Sequence, residues 1–120
     1  MIDPTDQFLE IVKGVVGRAY LAWPRKAPAA PYAILDVVSR VPEIIDRDGS
    51  EVAVRITYTV GILAPKPSTA RELAGGIVDA FAPYSFHTAG FSGIYEDPNQ
   101  LYRVNVTLQG VVDRRGATFR

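Results

Sequence analysis

His87 is the single histidine of this 120-residue chain, and cysteine is absent. Any Ser-His-Asp arrangement would therefore run through one imidazole. It sits in "FHTAGFSG", residues 86–93, where no strand-turn-helix pattern supplies a nucleophile elbow. Its ordinary reading is a loop or strand-start residue. "GFSG" at 90–93 flanks a serine with glycines but lacks the second intervening residue of G-x-S-x-G. Asp46 and Asp48 could pair for acid-base work, yet both fall in "DRDGS", a turn where Asp is favoured for its bonds to nearby backbone. "AGGIVDAF" lies inside a helical pattern and lacks the Lys-Ser/Thr of a phosphate loop. Without cysteine, disulfides, thiolate metal sites and thiol nucleophiles are excluded. "NVT" at 105–107 fits a glycosylation sequon but lies mid-strand. The residues thus supply no catalytic, cofactor or metal constellation, and the expectation is a protein that is not an enzyme.

Composition narrows the classes further. Thirteen basic and thirteen acidic side chains cancel, which argues against general nucleic-acid binding, since that affinity comes from neutralising many phosphates. No apolar run approaches the ~18 residues that a bilayer span needs. The opening "MIDPTDQFLE" is acidic where a signal peptide would be basic. Manufacture in the cytoplasm and no membrane partner are expected.

The elements that position the surface follow from periodicity. "DPTDQFLEIVKGVVG" places Asp3 as an N-cap, Pro4 at the first helical position and Phe8, Ile11, Val12 and Val15 on one face, predicting a helix over 4–16 closed by Gly17. A short apolar segment, Ala19 to Trp23, is then cut by prolines at 24, 28 and 31, which predicts a flexible extended loop over 24–31. Tyr32 to Val41 reads as an imperfectly alternating strand, and Asp48-Gly49 as the tight turn of a hairpin. Glu51 to Leu63 alternates cleanly, with Val52, Val54, Ile56, Tyr58, Val60 and Ile62 on one face. A capping box from Thr69 to Glu72 and the spacing of Leu73, Ile77 and Phe81 predict a helix over 69–82. The adjacent Gly75-Gly76 asks for close packing of that helix on a sheet. A short strand near 91–96, a turn at "DPNQ" and a strand over 101–113 with Tyr102, Val104, Val106 and Leu108 inward complete the chain. The fold class is α+β: one domain over 1–120, a single antiparallel sheet with long strands and two helices packed on one face.

Two strands of about thirteen residues would each run about 40 Å, whereas a compact chain of this length is only about 35 Å across. The strands are expected to overshoot the body. Their outer face, Thr57, Thr59, Arg103, Asn105, Thr107 and Gln109, is polar but nearly uncharged. That is either a solvated face or one covered by a neighbour. Gly61 and Gly110 mark candidate bulges. "WPRKAPAAP" sets Trp23 beside Arg25 and Lys26, and "DRRGATFR" carries Arg114, Arg115, Phe119 and Arg120 into a C-terminal arm, 114–120. With Asp48 and Gly49 of the hairpin, these are the candidate interface residues.

The order of an N-terminal helix, "PYAILDVVS", "VAVRITYTVGIL", "STARELAGGIVDAF" and "YRVNVTLQGVVDRR" resembles the tail-terminator, or tail-completion, proteins of long-tailed bacteriophages. The resemblance covers nearly the whole chain and rests on element order and strand-helix texture. It implies a structural virion protein that assembles as a homohexameric ring on the head-proximal end of the tail tube. There it stops tube growth and joins the tail to the head connector, with no cofactor and with genomic DNA only in transit through the lumen. The partners implied are further copies of itself, the tail tube protein and the connector, and the location is the tail or neck of the virion. Other readings are another neck or connector ring, a small interaction module that forms no ring, and a ligand-binding domain or enzyme with a polar pocket beside His87.

Overall fold

Clean alternation between Glu51 and Leu63 produces the central strand of the sheet. The computed structural model describes residues 2–26, 28–96 and 101–113. It runs α1 (Thr5–Val16), β1 (Ala19–Tyr20), β2 (Tyr32–Ile45), β3 (Glu51–Ala64), α2 (Pro67–Phe81), a short 3-10 turn (Ala82–Tyr84), β4 (His87–Phe91), β5 (Tyr95–Glu96) and β6 (Tyr102–Asp113). One six-stranded sheet has the order β1-β2-β3-β6-β4, with β5 also paired to β6. The α+β class and the two helices on one face are as the periodicity predicts. The sheet is mixed rather than purely antiparallel, because Ala19 and Tyr20 pair in parallel with Ala33 and Ile34 across the proline-rich loop.

Residues of even number on β3 meet the helices. Phe8, Val12 and Val16 of α1 and Ala70, Ala74, Ile77 and Phe81 of α2 pack with Val54, Ile56, Tyr58, Val60, Ile62, Val104, Val106 and Leu108 in the main core. Phe8 is its centre, with the Phe86 ring at 4.7 Å, Phe81 at 5.0 Å and Tyr58 at 5.5 Å. Tyr32, Ile34 and Leu63 form a second, smaller cluster. Tyr102, expected inside, is only half-buried.

Several local expectations shift. α1 begins at Thr5 with Pro4 as the boundary residue, and Asp3 caps from one position earlier by accepting the Thr5 N–H at 3.1 Å. α2 begins at Pro67, because proline suits the first helical turn. The Thr69–Glu72 capping box therefore lies inside the helix and caps nothing. A Cβ on Gly76 would lie 3.0 Å from Val15 Cγ1, so the close approach there is between the two helices and not onto the sheet. Pairing runs through Gly61 and Gly110 without a register shift, so neither is a bulge. At Gly110 the Phe86 ring lies where a Cβ would stand, 2.6 Å from its nearest atom. The strand expected over 91–96 is two pieces, β4 and β5. The "DPNQ" turn lies outside the described residues.

The molecule measures 52 × 28 × 21 Å. β2 and β3 are 14 residues each, and at about 3.4 Å per residue each spans nearly the whole long axis. The two strands set the length of the protein, and the helices cover only part of it.

Candidate functional site

β2 changes character at Asp36. Its first four residues, Tyr32 to Leu35, are buried, and of the next ten only Arg40 is even half-buried. β1 pairs only with Ala33 and Ile34, so from Leu35 onward β2 is the edge of the sheet. Along this edge Val37, Val38, Val41, Ile44 and Ile45 stand between 42% and 57% exposed. Single exposed aliphatics are ordinary, but five along one edge strand, Val37 on the helix side and Val41 and Ile44 on the opposite face, make an apolar edge of the kind that marks an interaction surface. Register shifts between Val37 and Ser39 and between Pro42 and Ile44, together with Pro42 itself, interrupt regular pairing to a further strand.

The hairpin that carries this edge is held stiffly. Arg40 donates from Nε to the Ile2 carbonyl at 2.8 Å and from Nη2 to Glu51 Oε1, while Glu51 Oε1 also accepts the Ile2 N–H at 3.1 Å. The Arg40 guanidinium and the Ile2 N–H hold the Glu51 carboxyl below the usual carboxylate range. Arg55 and Glu43 form a second ion pair across β2 and β3. The turn closes with Gly49 N–H on the Asp46 carbonyl at 3.1 Å and Ser50 N–H on Asp48 Oδ1 at 2.9 Å, Gly49 taking φ +85°. Asp48-Gly49 is thus the exposed tip of the hairpin, as the sequence indicates.

On the face away from the helices, the Thr- and Asn-rich surface is an internally bonded ladder. Thr59 and Thr107 hydroxyls meet at 3.1 Å, Gln109 Nε2 donates to Thr57 Oγ1 at 3.0 Å, and Asn105 Nδ2 donates to the Tyr95 hydroxyl at 3.1 Å. These bonds satisfy polar groups within the sheet. Arg103 donates from Nε to Asn105 Oδ1 at 3.0 Å and lies over Gly61, where a Cβ would come within 2.9 Å of its Nη2. Its guanidinium also sits 5.0 Å from the centre of the Trp23 ring. Trp23, Arg25 and Lys26 are exposed at the β1 end of the sheet, opposite to the Asp48-Gly49 tip. The sequence-predicted interface residues therefore occupy two ends rather than one patch. Arg114, Arg115, Phe119 and Arg120 lie outside the described residues.

His87 begins β4 and is exposed, beside a shallow depression of about 150 Å³ lined by Arg55, Ser85, His87, Gln109, Gly110 and Val111. This is smaller than the roughly 300–1,000 Å³ of most small-molecule sites. Its arginine is already engaged by Glu43. No helix among the described residues is long and apolar enough to cross a membrane.

Sequence reasoning did not single out the apolar edge. The signal was "DVVSRVPEII", whose broken alternation and internal proline are what an exposed edge strand with irregular pairing looks like. Comparison with known proteins adds nothing to this geometry: no protein-family model and no curated protein matches the chain.

Proposed function

We propose that the protein is a structural subunit of a long-tailed bacteriophage, a tail terminator that forms a homo-oligomeric ring on the head-proximal end of the tail tube. The observation that carries this reading is the exposed apolar edge of β2, on a hairpin whose strands run nearly the full 52 Å of the molecule. A long, stiff, apolar-edged hairpin suits contact with a neighbouring subunit, and rings of identical subunits close through such heterologous contacts. The element order read from the sequence, from the N-terminal helix to the long closing strand, is present in the fold, and the reading draws on its resemblance to the tail-terminator family. The work of such a ring is physical: it caps the tube, halts the addition of tube subunits and offers the connector a docking surface, with no bond made or broken.

Tail length tests this reading. Electron microscopy of particles from the parent genome lacking this gene should reveal overlong, headless tubes, restored to uniform length by complementation. Normal-length tubes that fail to join heads would move the protein to another ring of the neck. Fully normal particles would discard the structural role.

A second reading has one observation in its favour, the convergence of Arg55, Ser85, His87 and Gln109 on the depression beside β4. It would make this a binding domain for a small anion. Titration calorimetry with phosphate and small carboxylates tests it, and heat abolished by His87→Ala would support it over the ring.

A further inference from the structure

The face of the sheet that the helices leave open carries unpaired positive charge at one corner. Arg103 begins the odd-numbered row of β6 on this face, and Asn105, Thr107 and Gln109, which follow it, are neutral and bonded to Tyr95, Thr59 and Thr57. The Trp23 ring lies 5.0 Å from the Arg103 guanidinium, so the loop that leaves β1 is laid against this corner. Arg25 and Lys26 follow two and three residues later, and at about 3.8 Å per step their Cα atoms stay within about 8 and 11 Å of that of Trp23. Both are exposed, and about half of Trp23 is as well. Among the described residues, no carboxylate pairs with Arg25, Lys26 or Arg103. Glu96 stands opposite Tyr102, in the row that points to the helix side. Asp36 shares the open face but pairs with Thr59, four residues along from Leu63, the partner of Arg103. That is about 13 Å of strand, beyond the ~8 Å screening length at physiological salt.

Three cations gathered without a counter-charge beside a half-exposed indole form a surface complementary to negative charge, and tryptophan and arginine are enriched where proteins meet. We infer that this corner, Trp23, Arg25, Lys26 and Arg103, docks an acidic segment of a partner protein, with carboxylates on the three cations and an apolar side chain on the exposed part of the indole. Arg103 prepares the site. It donates Nε to Asn105 Oδ1 and lays its guanidinium over Trp23, which sets the ring beside the basic pair before any partner arrives. Nucleic acid fits less well. Its affinity grows with the number of phosphates neutralised, and three cations on a chain of zero net charge neutralise few. The inference holds for a ring subunit and for a free-standing module alike, so it does not depend on the tail reading.

Trp23 is the chain's one tryptophan, so its emission reports on this corner. The full chain is titrated with a glutamate-rich peptide that contains one leucine and no tryptophan, followed by Trp23 fluorescence and, in parallel, by calorimetry. A saturable change in emission that coincides with the heat is expected, and it should weaken as salt rises. Arg25→Glu with Lys26→Glu should weaken binding by about tenfold or more, since the change sets like charges against each other. Arg25→Gln with Lys26→Gln should fall between that variant and the parent, with thermal melts confirming that both variants are folded. The same peptide with glutamine in place of glutamate should not bind. Heat without a change in Trp23 emission would overturn the inference by placing the acidic peptide elsewhere. Equal binding of the glutamine peptide or of both folded variants would overturn it too, as would the absence of heat up to millimolar peptide. Tighter binding of a single-stranded oligonucleotide of matched charge would overturn it in favour of nucleic acid.

Discussion

Arg40 and Glu51 face each other across the hairpin and hold the backbone of Ile2 between them, the arginine on its carbonyl and the carboxylate on its N–H. This joins the entry to α1, the edge strand and the central strand at one point. It stiffens the part of β2 that leaves the cover of the helices. The folded state depresses the Glu51 pKa, so the carboxylate binds its proton more weakly when folded than when unfolded. Its stabilising effect is present above the unfolded carboxylate value and is lost as pH falls through the lower folded value. Denaturant melts from pH 7 down to pH 3 should therefore show an acid-side loss that Glu51→Gln flattens, the variant being the less stable of the two at neutral pH. Identical pH profiles would show that the ion pair does not steady the hairpin.

At the alkaline end the same linkage runs through Tyr58. Burial pushes its hydroxyl up to about 12, against a weaker opposing effect from the Thr5 hydroxyl that it meets at 3.0 Å. The folded state holds the phenolic proton more tightly, so stability is intact below pH 10 and declines as pH rises from 10 toward 12. Tyr58→Phe should remove much of that decline and cost about 1 kcal/mol at neutral pH for the lost hydrogen bond. Ultraviolet titration of the phenolic groups beside the melts checks both halves.

Gly110 and Phe86 share one space. A Cβ at position 110 would stand 2.6 Å from the Phe86 ring, and that ring is locked among Phe8, Tyr58 and Phe81. Gly110→Ala should destabilise by about 1–3 kcal/mol through overpacking. In a Phe86→Leu background the same change should cost less, and a double-mutant cycle by urea unfolding measures the coupling. Full additivity would place the cost elsewhere in the strand.

The polar side of the sheet allows a milder prediction. Trp23 is half-exposed, with the Arg103 guanidinium 5.0 Å from its ring. Trp23→Ala should cost about 0.5–1 kcal/mol, the range of an exposed cation–π pair, leaving the main core intact. Thermal melts together with the near-ultraviolet spectrum of the wild type would detect it.

Much of this architecture was legible in the chain because strong periodicity leaves little choice. The alternation of Val52 to Ile62 offers one strongly apolar face, and the Phe8–Val12 and Ile77–Phe81 spacings fit helices with one apolar stripe. Capping was less legible, since Pro67 outcompetes the Thr69–Glu72 pair for the start of α2 and nothing local announces which will win. The roles of Gly61 and Gly110 were hidden for a related reason: the groups that need their space, Arg103 and Phe86, come from distant positions or from across the strand pairing. The apolar edge of β2 was hardest to read. Val37, Val38, Val41, Ile44 and Ile45 look like core residues until the topology leaves β2 at the sheet edge, beyond the reach of the short β1.

The most direct test of the account puts that edge against tail assembly. Val38→Asp and Val41→Asp change exposed side chains and should leave stability within about 0.5 kcal/mol of the parent. Complementation of the gene-deleted phage with the doubly substituted chain, followed by tail-length measurement in the electron microscope, should give overlong, headless tubes from a protein that is folded and abundant. Uniform tails joined to heads would contradict the account, because the exposed edge of the hairpin would then be dispensable for the function proposed for it.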